Sequence, residues 1–279
     1  MLLKRGDSGE SVKALQRNLN KVGSILLVDG DFGPGTRDAV VDARVTLNQP
    51  GPAEADDAFQ AALAALSDPF PSLSSAGVTF IARAEVSSPG EYRHQYSHPI
   101  WPGGESGVTI GIGYDLRFVD EPALRADWGA HLAPGSLVRL AKVARLEGTA
   151  ALATDMRDID IPLAAAVGVF VARSLPQTLA LTRAIYPQID ALPASRRAAL
   201  VSLVYNRGTR LSDRDAARQE RREMREIQTL LTANDPDEVA EQLDAMSRLW
   251  DPQTQRGLVL RRHSEAKLWR AGFAALQLD

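Results

Sequence analysis

Apolar positions at helical spacing open the chain. Val12, Leu15, Leu19 and Val22 recur every three or four residues behind Asp7-Ser8-Gly9, and Gly23 follows the last of them. This is the pattern of one buried helix face with a start and a stop signal. A turn-rich stretch, Asp29-Gly30-Asp31-Phe32-Gly33-Pro34-Gly35, comes next. Thr36 is expected to cap a second helix carrying Ala39, Val40 and Ala43, and Asp56–Leu66 reads as a third. The segment from Leu66 to Gly77 breaks the periodicity on both sides with Pro69, Pro71 and a group of serines. The sequence therefore predicts a small domain over 1–66, a linker over 67–77 and a larger domain over 78–279. Three short helices bury only one modest core, which suits a binding accessory better than a catalyst.

Beyond the boundary the pattern is mostly helical. Residues 86–107 are rich in Pro, Gly, Ser, His and aromatics and read as irregular, after which Val108–Leu116 alternates with period two as a strand does. Helices are expected over 134–146, 161–174, 176–186, 194–206, 214–232, 235–248 and 258–272. One short β element in a helical domain suggests a cleft with that element along one wall.

Composition narrows the function classes. A chain of 279 residues, 44% hydrophobic and 24% charged, has enough apolar material for a sizeable core and excludes disorder and a fibrous repeat. The net charge is −3, and basic and acidic residues number 7 and 10 before residue 75 and 25 and 25 after it. No segment is a basic module for nucleic acid. Cysteine is absent, which removes disulfides, thiolate metal sites and a cysteine nucleophile. No apolar run approaches the roughly 18 residues of a membrane span, and the first residues lack a signal-peptide pattern. Synthesis in the cytoplasm without a signal peptide is the expectation, with any action on a cell wall following release or secretion.

The first 50 residues resemble the three-helix peptidoglycan-binding domain found at the ends of many cell-wall hydrolases. Leu3, Gly6, Gly9, Val12, Leu15, Gln16, Leu19, Gly23, Asp29-Gly30-Asp31-Phe32-Gly33, Thr36 and Ala39-Val40 carry the resemblance. The family continues with Phe-Gln after the Ala-Val step, where this chain has Ala43 and Arg44. The same glycines also serve as turns and helix ends. Asp29-Gly30-Asp31 is similar to the start of a calcium loop, but position 40, where the closing Glu belongs, is Val.

The second part resembles phage-type lysozymes, helical muramidases with a small β element and a cleft between two lobes. Three stretches carry this: Phe80-Ile81-Ala82-Arg83-Ala84-Glu85, Thr109-Ile110-Gly111-Ile112-Gly113, and Ala198–Gly208 with its Asn206-Arg207-Gly208 ending. The second is a close match to the family's β-hairpin motif. The resemblance implies a mainly α protein of lysozyme-like α+β type, with a small three-helix N-terminal domain and a larger helical domain. It also implies an endolysin-like N-acetylmuramidase without a cofactor or metal, acting on peptidoglycan as a monomer.

Glycoside cleavage needs a carboxylic acid that stays protonated near neutral pH and a second group that positions water or stabilises the sugar cation. Glu85 suits the first role, at the end of a helix whose Phe80, Ile81 and Ala84 are expected to face inward and raise its pKa. A solvated helix-end glutamate is the alternative. In the expected strand, Val108, Ile110, Ile112 and Tyr114 share one face, while Thr109, Gly111, Gly113 and Asp115 share the other. Two glycines on that second face leave room for a polysaccharide against the backbone, and the resemblance assigns Thr109 to the attacking water. The resembling enzymes carry an Asp six residues before this Thr, where this chain has Gly103. Glu105 is the favoured substitute. A straight strand holds Thr109 and Asp115 about 20 Å apart, so Asp115 is equally a capping or hydrogen-bonding group.

Further substrate contacts are expected from Ser106, Gly111, Gly113, Tyr114, Asp115 and Asn206, the last of which also suits a helix end. The loop with Tyr92, His94, Tyr96, His98, Pro99, Trp101 and Pro102 is either a sugar-binding lip or a hydrophobic plug. His94 and His98 lack a third metal ligand in sequence. Gly104-Glu105-Ser106-Gly107-Val108 lacks the second glycine of a nucleophile elbow, so a serine hydrolase is not supported. The six arginines between Arg210 and Arg225 alternate with acidic residues and read as a salt-bridged, solvated helix face, with peptide carboxylates of peptidoglycan as a lesser use. Two alternatives stand beside the muramidase: a wall-binding protein on an inactive lysozyme-like scaffold, and a glycosidase of the same fold acting on chitin or chitosan.

Overall fold

The computed structural model describes residues 1–274. The chain is mainly helical and divides into two compact units, Met1–Pro69 with Glu85–Ser174, and Phe70–Ala84 with Leu175 onward. The segment 78–279, read from sequence as one domain, is thus shared between both units.

The first unit opens with α1 (Glu10–Asn20), α2 (Pro34–Thr46) and α3 (Asp57–Ala64). Val12, Leu15 and Leu19 from α1, Ala39, Val40 and Ala43 from α2, and Phe59 and Leu63 from α3 close on Phe32 in one core. Pro34 starts α2 because its fixed φ suits a first helical position and it has no N–H to leave unpaired. Thr36 is therefore inside the helix rather than its cap. Asp56 caps α3, accepting from the Phe59 amide at 2.8 Å.

The helix α4 (Ser74–Val86) begins inside the stretch read as a linker. Ile81 and Ala82 are buried along it, Phe80 is half-buried, and Ala84 is exposed rather than packed inward. Residues 86–107 are less irregular than their composition suggests: Ser88 caps the short helix α5 (Pro89–Glu91), which runs into a π-helical turn over Tyr92–Tyr96.

The segment 108–116 is not a single strand. It folds into an antiparallel hairpin of β1 (Thr109–Ile110) and β2 (Tyr114–Asp115), with Thr109 opposite Asp115 and Ile110 opposite Tyr114. Gly111 and Gly113, at φ of 58° and 68°, let the backbone reverse through a left-handed region that side chains disfavour.

The first unit then continues through α6 (Glu121–Trp128), α7 (Pro134–Ala141), α8 (Ala150–Thr154) and α9 (Leu163–Val169). The helix expected over 134–146 ends early, and turns follow Ala141. A π-helical turn over Phe170–Ser174 joins α9 to α10 (Leu175–Ile185). Pro176 has no N–H for the carbonyl of Ala172 and its ring crowds that group, so the helix widens in the preceding turn. The continuous run Leu163–Ile185 has 23 residues and a mean hydropathy of 1.4 over its most apolar window, long and apolar enough by length and composition to cross a membrane. The sequence reading that no such run exists is corrected here. Half of that window is buried within the protein, and Arg173 in the run pairs with Asp127 at 3.1 Å.

In the second unit, α11 (Ala194–Arg207), α12 (Arg222–Thr232), α13 (Val239–Ala245) and α14 (Arg256–Ala271) pack together. Glu265 is fully buried on α14 and accepts from Ser202 at 2.6 Å and from Arg262 at 2.7 Å. Desolvation raises its carboxyl above the ordinary range, and the two cations Arg262 and Arg261 oppose that rise.

The arginine-rich stretch is also not the helix expected over 214–232, since α12 starts only at Arg222. The preceding turns are held by guanidinium groups that donate to backbone carbonyls: Arg221 to Arg207 at 2.7 Å, Arg225 to Leu211 at 2.7 Å, and Arg248 to Arg218 and Gln219 at 3.0 and 2.8 Å. The Arg214 amide and the Arg210 guanidinium beside Glu220 hold its carboxyl below the usual range. A depressed folded pKa contributes stability above the unfolded pKa and loses it as pH falls through the folded one. The Arg214 amide resonance is therefore expected to shift as pH drops from about 5 to about 2, in an NMR titration. The Glu220→Gln variant should lack this transition.

Candidate functional site

Gln16 organises the N-terminal domain. It is 1% exposed, and its amide nitrogen donates to Asp29 Oδ1 at 2.7 Å, to the Asp31 carbonyl at 3.1 Å and to Thr36 Oγ1 at 3.1 Å. Its oxygen accepts from the Gly30 amide at 2.9 Å. One side chain on α1 thus fixes the whole turn before α2, and the buried polar atoms leave water without losing partners. Gly30 is required there, because at φ 85° a side chain would meet Lys13 Cγ at 3.0 Å and the Gly9 carbonyl at 3.3 Å.

Arg44 stands where the resemblance noted in the sequence implies Gln. It is 6% exposed, lies with its guanidinium carbon 4.3 Å from the Phe59 ring centre, and donates to the Glu54 carbonyl at 2.8 Å and Asp56 Oδ2 at 3.0 Å. The departure from the family pattern is filled by a paired, stacked cation.

In the hairpin, Asp115 Oδ1 accepts from the Gly107 and Arg117 amides, both at 2.9 Å. The carboxylate ties the loop before β1 to the turn after β2 and caps the 3-10 turn Leu116–Phe118. Thr109, opposite it, is 7% exposed, and its hydroxyl makes a long 3.4 Å bond to the Gly107 carbonyl. Its backbone also pairs with Ile100, through bonds of 2.9 and 2.8 Å, which adds a third segment to the hairpin. Tyr114 is buried and donates to Asp127 at 2.6 Å, with its ring edge-on to Trp128. Burial and that hydrogen bond raise the phenol above its usual range.

Gly111 does not leave a bare face for substrate. A side chain there would lie 2.9 Å from Trp128 Cη2 and 3.1 Å from Ala166 Cβ, so this glycine faces a packed interior. Gly113 is exposed at the turn.

Glu85 is half-buried in the last turn of α4 and belongs to the same unit as the hairpin. Glu105 is exposed, and its backbone carbonyl accepts from Arg117. The Ser106 carbonyl accepts from the Gly148 amide at 2.9 Å and from Trp101 at 3.2 Å. Asn206 is exposed near the end of α11 in the other unit, before Gly208 at φ 68°. The structure thus sets Thr109 against Asp115, next to the Glu105–Gly107 loop. Tyr92 is a plug, fully buried and donating to the Ile161 carbonyl at 2.9 Å, whereas Trp101 remains exposed. Among the described residues no group of His, Asp and Glu is arranged to hold a metal.

Sequence reasoning missed Arg117, Glu147 and Gly148. Arg117 pairs with Glu147 at 2.8 Å, and Gly148 lets its segment approach Gly107. Their positions after the hairpin carry no motif, so only the fold brings them to the loop.

The family model for the peptidoglycan-binding domain matches residues 8–43. This stretch holds α1, the turn fixed by Gln16 and most of α2, and it ends at the residue before Arg44. The match supports cell-wall binding by this domain. No curated protein matches the sequence.

Gln16→Ala removes four hydrogen bonds, leaves the buried Gly30 amide without its acceptor, and is expected to destabilise the N-terminal domain by about 2–4 kcal/mol. Denaturant unfolding measures this, and co-sedimentation with purified wall should weaken in parallel. Gly111→Ala meets both a left-handed backbone and the Trp128 ring, and a loss of about 2–3 kcal/mol is expected in the same assay.

Proposed function

We propose that the protein is a modular peptidoglycan hydrolase, an N-acetylmuramidase whose N-terminal domain holds it on the wall. Glu85 acts as the general acid, passing its proton to the glycosidic oxygen as the bond to the N-acetylmuramic acid anomeric carbon breaks. Thr109 Oγ1 holds the water, whose oxygen bonds to that anomeric carbon as Glu105 accepts its proton. Cleavage falls between N-acetylmuramic acid and N-acetylglucosamine. Tethering raises the local concentration of glycan without any added contact at the reacting bond.

The observation that carries this reading is the hairpin. Thr109 is held between Ile100 and Asp115, and its hydroxyl makes only a long bond, 3.4 Å, to the Gly107 carbonyl among the described residues. Glu85 in the same unit and the wall-binding domain support it further. Asp115 has a structural role here, since one of its oxygens holds two amides.

A second reading, a wall-binding protein without catalysis, is favoured by Gly103 at the position of the resembling family's Asp. Glu105 lies exposed beyond two left-handed glycines, Gly103 at φ 99° and Gly104 at φ 58°.

Mass spectrometry of soluble products from purified peptidoglycan separates the two. Fragments ending in reducing N-acetylmuramic acid are expected from the wild type, with release falling at least about a hundredfold in Glu85→Gln and wall binding retained. Intact glycan with both proteins would leave the binding reading alone.

A further inference from the structure

Among the tryptophans, Trp128 and Trp269 are 1% and 2% exposed, and Trp250 is half-buried with the guanidinium carbons of Arg207 and Arg262 at 5.0 and 5.9 Å from its ring centre. Trp101 is different. It is 36% exposed, on the segment that Ile100 pairs to Thr109, and its orientation is fixed from two sides. Its indole nitrogen donates to the Ser106 carbonyl at 3.2 Å. Its ring edge lies against Gly148, where even a methyl group would sit 2.6 Å from Trp101 Cδ1.

A large aromatic ring normally turns its exposed area inward or loses rotamer freedom on binding. Here the rotamer is set before any ligand arrives, and the exposed part of the ring faces solvent at no further ordering cost. Open space surrounds the two glycines that follow Pro102, since side chains added at Gly103 and Gly104 would meet nothing within 4 Å. Hydrogen-bonding groups border the loop: the exposed Glu105 carboxylate, and Arg117 paired with Glu147. A rigid flat apolar surface bordered by charged donors and acceptors complements a pyranose, which has one face of C–H groups and a rim of hydroxyl and amide groups.

We infer that Trp101 is a stacking platform for an N-acetylhexosamine ring of the glycan strand, adjoining the Thr109 hairpin. The inference rests on the reading of the chain as acting on peptidoglycan glycan. It assigns the platform a binding role and no step in bond cleavage.

The test uses the full chain carrying Glu85→Gln, labelled with 15N at its tryptophan indoles, and the tetrasaccharide of alternating N-acetylglucosamine and N-acetylmuramic acid as probe. Trp101→Phe assigns the Trp101 indole signal by its loss. On titration that signal is expected to shift while those of Trp128 and Trp269 stay still. Trp101→Ala is expected to bind the tetrasaccharide about tenfold more weakly. Trp101→Phe, which keeps a flat ring but not the bond to Ser106, should stay within about threefold. Circular dichroism and thermal melting of both variants show whether the fold is intact.

An unmoved Trp101 signal while the tetrasaccharide saturates another part of the chain overturns the platform, as does a folded Trp101→Ala with parental affinity or a complete lack of binding. The product analysis with wild type fails or succeeds separately. A chain that releases reducing N-acetylmuramic acid with a silent Trp101 loses only the platform, and one that binds through Trp101 without cleaving loses only the hydrolase.

Discussion

One carboxylate oxygen, Oδ1 of Asp115, organises the region around the hairpin. By accepting from the Gly107 and Arg117 amides it closes the loop before β1 onto the turn after β2, so the short strands do not rely on their own few ladder bonds. A two-stranded hairpin of this length is marginal in water by itself. The closure needs glycine at 107, where a side chain would lie 2.5 Å from that same oxygen. Glycine is needed at 148 as well, where a side chain would lie 2.6 Å from the Gly107 carbonyl carbon. The position of Thr109, the Glu105 loop and the edge of Trp101 all follow from this single clamp and the backbones that fit around it.

The N-terminal domain uses the same economy with a different residue. Gln16 satisfies the turn before α2 from within, and Arg44 closes the far end of the core against Phe59. Both are polar groups in a small interior that has little apolar area to spare. Gln16 is tolerated because both ends of its amide are hydrogen-bonded, and Arg44 because its terminal nitrogens meet the Gln49 and Glu54 carbonyls and the Asp56 carboxylate.

Much of the helical architecture was legible because a buried helix face leaves a 3.6-residue signature: α1, α3, α10 and α11 fall close to their apolar patterns. The peptidoglycan-binding turn was legible through its glycines and aspartates. The hairpin was harder. Alternation from Val108 to Leu116 reads the same in a straight strand as in one that reverses, and only the backbone angles of Gly111 and Gly113 tell them apart. The separation expected between Thr109 and Asp115 failed for that reason. Arginine-rich residues 210–221 misled in another way, because charge alternation predicts a solvated helix face, whereas they form irregular turns whose carbonyls accept from Arg207, Arg225 and Arg248 outside them. Long-range pairings such as Arg117 with Glu147 leave no local trace at all. Of the residues proposed for catalysis, Glu85 was visible as the end of an apolar helix, while the exposure of Glu105 depends on the conformation of a glycine loop.

The guanidinium in the core of the N-terminal domain has a consequence for where that domain can work. Arginine keeps its proton throughout the range of biological acidity, and its partner Asp56 is held below the usual carboxylate range, chiefly by the Phe59 amide and then by Arg44. The bond between Arg44 and the Asp56 carboxylate therefore persists in mildly acidic surroundings, such as a polymer mesh dense in fixed carboxylates. An anchor built this way stays assembled where a histidine or an ordinary glutamate in the same place would change its protonation and loosen its hold.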